Sequence, residues 1–236
     1  MESTQGKTTA AAVPLHYGGE GPAAPREFTV DFSRNPRYML GRVPLLGVTD
    51  VLRDNGLINT QFMTRKGRDR GAAVHYACHL VDTPEQGAFN WSSLHPDLHG
   101  YVHSWEKLKA RIAGFRILDS ERALFDPLML IAGTLDRRVF FDGSEHVWDL
   151  KTGTAPRSGG YQTGAYDRML PPYACGMRRR AAIELHQDGT IATIRKHEDM
   201  NDANYFLAMV ATTRARQQVG VSFIDPITGE AKWKTE

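Results

Sequence analysis

Two aspartates and a lysine near the middle of the sequence could do chemistry together. Asp136 closes the stretch Ala132-Gly133-Thr134-Leu135-Asp136, and Asp149 and Lys151 sit in Val147-Trp148-Asp149-Leu150-Lys151-Thr152-Gly153. In a strand, residues i and i+2 face the same side. Extended backbone therefore points Asp149 and Lys151 together and turns Trp148 and Leu150 into a core. Carboxylate oxygens suit hard cations such as magnesium, which keep several waters and accept phosphate oxygens. Such a metal lowers the pKa of its water and stabilises charge on a phosphate. A lysine beside it can orient that water, deprotonate it if the metal depresses its own pKa, or offset the developing charge. An Asp-x-Lys pair alone is usually a solvated face with a weak surface ion pair. The weight falls on what surrounds it.

The surrounding pattern reads as sheet. Residues 115–125, 128–141 and 145–151 have the character of three strands, and Asp142-Gly143 is a strong hairpin turn. Asp136 then lies on the strand preceding Asp149 and can meet it if the register permits. A helix is expected over residues 160–170, stopped by Pro171-Pro172. Residues 178–186 and 191–196 form a second hairpin about Asp188-Gly189. Residues 201–218 read as the last long helix, with Tyr205, Met209 and Thr212 inward.

Upstream, residues 27–32 alternate apolar and polar as a half-buried strand, 33–36 read as a turn, and 37–46 as a returning strand. Thr49 is a candidate N-cap for a short helix over 50–54, closed by Asn55-Gly56. A helix over 66–80 carries Ala73, Ala77 and Leu80 at helical spacing. Residues 84–96 read as loop, and a helix over 96–112 buries Tyr101, Trp105, Leu108 and Ile112. This order predicts an α/β or α+β fold, a central mixed sheet flanked by helices.

The 236 residues suit one domain, taken as 26–220. Residues 1–25, rich in Ala, Gly, Thr and Pro, read as a flexible tail, and 221–236 as an uncertain, loosely packed extension. The net charge of +2, from 29 basic and 27 acidic residues, neither requires nor excludes nucleic acid. Two cysteines, Cys78 and Cys175, are too few for a disulfide framework or an iron–sulfur site and are read as packing residues. No stretch approaches the ~20 apolar residues of a membrane span, and the N-terminus lacks a signal-peptide layout. A cytoplasmic protein without a membrane partner is expected.

Five elements occur in a fixed order: Arg70-Gly71-Ala72-Ala73-Val74-His75, Glu121, Gly133-Thr134-Leu135-Asp136, Asp149-Leu150-Lys151-Thr152-Gly153, and Gln162 with Tyr166. In this set the chain resembles the PD-(D/E)XK nuclease superfamily, in particular its RecB-like exonuclease branch. The resemblance runs from about Val43 to Met209. It departs from the superfamily pattern at Leu135, where proline would stand, and lacks the cysteine quartet of the iron–sulfur members.

The resemblance implies a restriction-endonuclease-like core and a Mg2+-dependent deoxyribonuclease in which Mn2+ can substitute, with no iron–sulfur cluster. It suggests an exonuclease acting on DNA in recombination, repair or viral DNA processing, with a homo-oligomer or a recombination partner protein admitted. Asp136, Asp149 and the Leu150 carbonyl would bind metal, with His75 as a further ligand and Glu121 available to a second ion. Lys151 would handle the nucleophilic water. Gln162 and Tyr166, four residues apart on one helix face, would hold the DNA strand or Lys151.

Each residue also has a plainer reading: His75 as a hydrogen-bonded core histidine, Tyr166 as helix packing, Gln162 as exposed, Glu121 as a strand-end charge facing water. Arg65, Lys66, Arg68 and Arg70 form a basic run that can grip phosphates. Arg178, Arg179 and Arg180 form another, and phosphate contact is favoured for Arg70 and its neighbours because they precede His75. Trp91 and Trp105 are read as packing rather than base-stacking residues. The alternative function is a nucleic-acid-binding module on the same fold that has lost catalysis. No Gly-rich phosphate loop, nucleophile elbow or His-Glu-x-x-His motif supports another hydrolase class.

Overall fold

The computed structural model describes residues 8–13, 26–31, 37–58, 65–86 and 89–224. Strands β1 (Thr8–Val13), β2 (Arg26–Asp31), β3 (Arg37–Leu40) and β4 (Val43–Pro44) form an antiparallel sheet in that order. They are followed by β5 (Leu46–Gly47), α1 (Val48–Asp54), α2 (Arg65–Asp82) and α3 (His99–Arg111). Then come β6 (Arg116–Asp126), β7 (Ile131–Phe141), β8 (Ser144–Lys151) and α4 (Gly159–Met169). The described chain ends with β9 (Arg179–Glu184), β10 (Thr193–His197) and α5 (Asp202–Gln218).

The main sheet runs β10-β9-β8-β7-β5, with β6 on the other edge of β7. It is mixed: β5 with β7 and β8 with β9 are parallel, and the other pairs are antiparallel. The expected α+β arrangement of a mixed sheet between helices is the one observed. Strand alternation in β8 decides which residues go where. Val147 enters a core with α1, α4 and α5, where Val51, Leu52, Tyr166, Phe206 and Val210 are buried. Trp148 and Leu150 enter a second core with Val74 and Cys78 of α2 and Trp105 and Leu108 of α3. The β7–β8 turn has Asp142 at φ 49° and Gly143 at φ 67°, the positive pair a tight hairpin needs. No helix among the described residues is long and apolar enough to cross a membrane.

Several expectations need correction. Residues 8–13, read as tail, form β1 and pair with β2 from Thr8↔Val30 to Val13↔Arg26. Ladder bonds use the backbone, so an edge strand of small residues leaves little trace in apolar composition. The returning strand over 37–46 is broken at Gly41 (φ 60°) between β3 and β4 and again at Leu45 between β4 and β5, and the turn expected at 33–36 lies outside the described residues. Thr49 is inside α1; Gly47 caps it without a side-chain bond. The stretch read as loop contains three short 3-10 turns, at Pro84–Gln86, Trp91–Ser93 and Pro96–Leu98. In α2 the buried face is Val74, Ala77 and Cys78, with Ala73 and Leu80 at its margins.

The inward face of α5 is Phe206, Val210 and Thr213; Tyr205 and Thr212 are exposed, and Met209 lies at the margin. Two stripes one residue apart have the same spacing, and only the packed partner decides between them. The segment after α5 is not loose where it is described: Ile224 is buried, and Asp54 accepts from the Phe223 N–H at 2.8 Å and the Ser222 hydroxyl at 3.1 Å. Residues 225–236 of the expected extension lie outside the described residues. Cys78 is buried as expected, but Cys175 is exposed.

Candidate metal centre

The site forms where β7 changes partners. One edge of β7 pairs with β6 along almost its whole length. The other edge pairs with β8 over residues 137–141 and with β5 over 131–132. Residues 133–136 therefore line a fork where β5 and β8 part. Asp136 sits at the β8 side of this fork, and its Oδ2 accepts the Leu150 N–H at 2.7 Å. Gly133 sits in the same gap. A Cβ there would lie 2.7 Å from Tyr166 Cε1 and 3.1 Å from Val48 Cγ2, so glycine is what lets α4 and α1 approach the strand.

Glu121 arrives from the opposite edge. The β6–β7 register runs Ser120↔Arg137 and Arg122↔Leu135, which sets Glu121 across from Asp136. Its φ of 50° is an uncommon conformation for a non-glycine residue. Helix α2 supplies His75, whose Nδ1 is 3.5 Å from Asp136 Oδ2 and 3.7 Å from Glu121 Oε1. One ligand atom from each of His75, Glu121 and Asp136 fits within 4.8 Å of the others. The other ring nitrogen, Nε2, is 2.9 Å from the Leu150 carbonyl oxygen.

Asp149, 1% exposed, completes the acidic side without entering that tight trio. Lys151 Nζ is 2.6 Å from its Oδ2, yet neither Asp149 oxygen accepts a well-directed hydrogen bond. The contact is a close pairing of charges at Oδ2, and it leaves Asp149 Oδ1 buried without a partner. Buried acceptors rarely stay so without an ion or water. Lys151 Nζ also donates to Gln162 Oε1 at 3.4 Å, and Gln162 Nε2 donates to the Tyr166 hydroxyl at 3.3 Å.

The electrostatics follow from burial and crowding. Burial pushes Asp136 up to about 7, with Asp149 and Glu121 adding to the rise and His75 opposing it. Burial alone would lower His75, but Asp136 and Glu121 outweigh it and raise the imidazole to about 9. Burial likewise disfavours the Lys151 ammonium, but Asp149 and Asp136 overcome it and hold its pKa above the usual lysine value. The sequence argument allowed a depressed lysine beside a metal; in the protein alone Lys151 is a firm cation. Burial raises the Tyr166 hydroxyl well above its ordinary value, so it acts as a neutral group.

His75, Glu121, Asp136, the Leu150 carbonyl, Asp149, Lys151, Gln162 and Tyr166 are thus linked around one fork. The donor set of two carboxylates and one imidazole, with Asp149 Oδ1 left unpartnered on the neighbouring strand, fits a hard divalent cation. Glu121 faces the cluster, and the plainer reading of it as a solvated strand-end charge does not hold.

The basic residues behave differently. Lys66, Arg68 and Arg70 are exposed near the start of α2. The Arg70 guanidinium lies 5.8 Å from the Tyr101 ring centre. The backbone of Arg65 opens α2. Arg178 is tied to Glu145 and Asp167, and Arg180 to Asp202, beside a cleft of about 650 Å³. Trp105 is a core residue, and Trp91 stacks with His103 and packs edge-on against Phe89 and His99.

Sequence reasoning missed Arg137 and Asp82. Arg137 is fully buried and donates to Asp82 Oδ2 at 2.7 Å, Glu121 Oε1 at 2.9 Å and the Asp136 carbonyl at 2.6 Å. A charged residue at an inward strand position was the available signal, because a buried charge requires partners.

Fold and site together define an α+β protein whose mixed sheet carries a histidine–carboxylate cluster, with a lysine beside it, at the parting of two strands. No protein-family model matches the chain, and no curated protein matches it.

Proposed function

We propose that the chain is a divalent-metal-dependent deoxyribonuclease of the PD-(D/E)XK type, akin to the RecB-like exonucleases and using Mg2+ or Mn2+. The observation that carries this reading is the cluster of His75, Glu121 and Asp136 at the strand fork, with the buried Asp149–Lys151 pair on the neighbouring strand.

When bound, the metal supplies positive charge to a phosphate and acidifies water. The chain's own residues do the rest. Asp136, Asp149, Glu121, His75 and the Leu150 carbonyl would hold the ion. The Lys151 ammonium, steered by Asp149 and Gln162, would offset charge on the phosphate and orient the attacking water. Tyr166, kept neutral by burial, holds Gln162 in place through its hydroxyl. Lys66, Arg68 and Arg70 would meet the DNA backbone along the helix that carries His75.

End-labelled linear duplex, linear single strands and closed circular DNA, each incubated with Mg2+, Mn2+ or EDTA, test the proposal. Cleavage of linear DNA with either metal, none with EDTA, and loss in Lys151→Ala and Asp149→Asn are expected. DNA binding without cleavage under any metal would instead favour the catalytically silent binding module.

A further inference from the structure

We infer that Arg137 is a positioning residue for the metal centre, fixing the Glu121 carboxylate toward His75 and Asp136. This inference rests on the metal-site reading above.

Four observations carry it. Arg137 has no exposed surface, and a buried guanidinium must be matched by acceptors. Its Nη1 bonds Glu121 Oε1, the same oxygen that faces His75 Nδ1 at 3.7 Å. Its Nε bonds Asp82, which is itself immobilised by both Trp105 Nε1 contacts at 3.0 Å and by Lys109 at 2.5 Å. Asp82 lies seven residues after His75, hence on the same face of α2. The chain of contacts closes on itself: α2 delivers His75 to the cluster and Asp82 to Arg137, and Arg137 returns to Glu121.

Glu121 needs such a tether. Its backbone is in the left-handed region at φ 50°, a conformation that persists only when its surroundings over-determine it. Its side chain is 26% exposed and stands across from another carboxylate. Without the guanidinium, like-charge repulsion and solvent would draw it outward, away from a shared ion. Groups that orient metal ligands in this way typically change metal affinity by roughly 10–100-fold when altered.

Mn2+ binding to the metal-stripped full chain, read by electron paramagnetic resonance, tests the inference, with circular dichroism to confirm folding. Arg137→Lys keeps the charge but loses the fork that bridges two carboxylates. Arg137→Lys and Glu121→Gln are each expected to weaken Mn2+ binding by roughly tenfold or more. The double variant is expected to bind no worse than the weaker single one. Full Mn2+ affinity in a folded Arg137→Lys, or single effects that multiply in the double, would overturn the inference alone. If Arg137→Lys does not fold, Asp82→Asn decides: weakened affinity supports the tether, and unchanged affinity overturns it. No Mn2+ bound by the wild-type chain would overturn the metal-site reading itself, and this inference with it.

Discussion

The imidazole of His75 is held between the Leu150 carbonyl oxygen, 2.9 Å from its Nε2, and the Asp136 carboxylate, 3.5 Å from its Nδ1. With its pKa raised to about 9, this ring carries a proton at neutral pH and adds a positive charge to the acidic cluster beside those of Arg137 and Lys151. In the metal-free protein a protonated histidine does part of the neutralising that a divalent ion would do.

Metal entry must therefore release protons, from His75 (about 9) and from Asp136 (about 7). Apparent Mn2+ affinity should rise as pH increases from 6 to 9. Calorimetric titration in buffers of different ionisation enthalpy should show net proton release near pH 7. An affinity flat across this range would contradict the raised pKa values.

The same shifts fix the sign of metal-free stability. Asp136 ionises at about 7 in the folded chain against 3.8 for an unperturbed group, and His75 at about 9 against 6.5. The native state thus binds more protons than the unfolded state between about pH 4 and 9, and stability falls as pH rises through that window. The His75 contribution is fully present below 6.5 and is lost as pH passes 9. Thermal melts in EDTA should show Tm declining from pH 6 to pH 9, and saturating Mg2+ should flatten the decline.

Gly133→Ala would place a methyl group against the Tyr166 ring and the Val48 side chain, both buried. Overpacking of this kind typically costs about 1–3 kcal/mol. The expected outcome is a lower Tm together with reduced cleavage, because Tyr166 supports Gln162 and Gln162 supports Lys151. Full activity with an unchanged Tm would mean that α4 tolerates retreat from the strand.

Gln162→Ala removes one acceptor from the Lys151 ammonium and leaves the cores untouched. The bond is long, at 3.4 Å, and only part-buried, so Tm should barely move, whereas a displaced Lys151 ammonium should lower turnover by roughly tenfold, about 1.4 kcal/mol of activation free energy. Steady-state cleavage of a linear duplex, paired with a melt, separates this from a folding defect.

The sequence by itself determined the side-chain geometry of β8: alternation is set by the backbone, so Asp149 and Lys151 had to share a side while Trp148 and Leu150 were buried. It also determined the β7–β8 hairpin through Asp142-Gly143, and the shared helix face of Gln162 and Tyr166. These are local relations, fixed by dihedral periodicity and turn chemistry. Only the tertiary structure decided that β5 and β8 part at Asp136 and that a left-handed Glu121 stands across from it. Only it decided that Phe206 rather than Tyr205 faces the core, and that Arg137 is buried against Asp82. Those outcomes depend on partners distant in the chain, whose register and desolvation are set by packing and leave no periodic trace in the residues themselves.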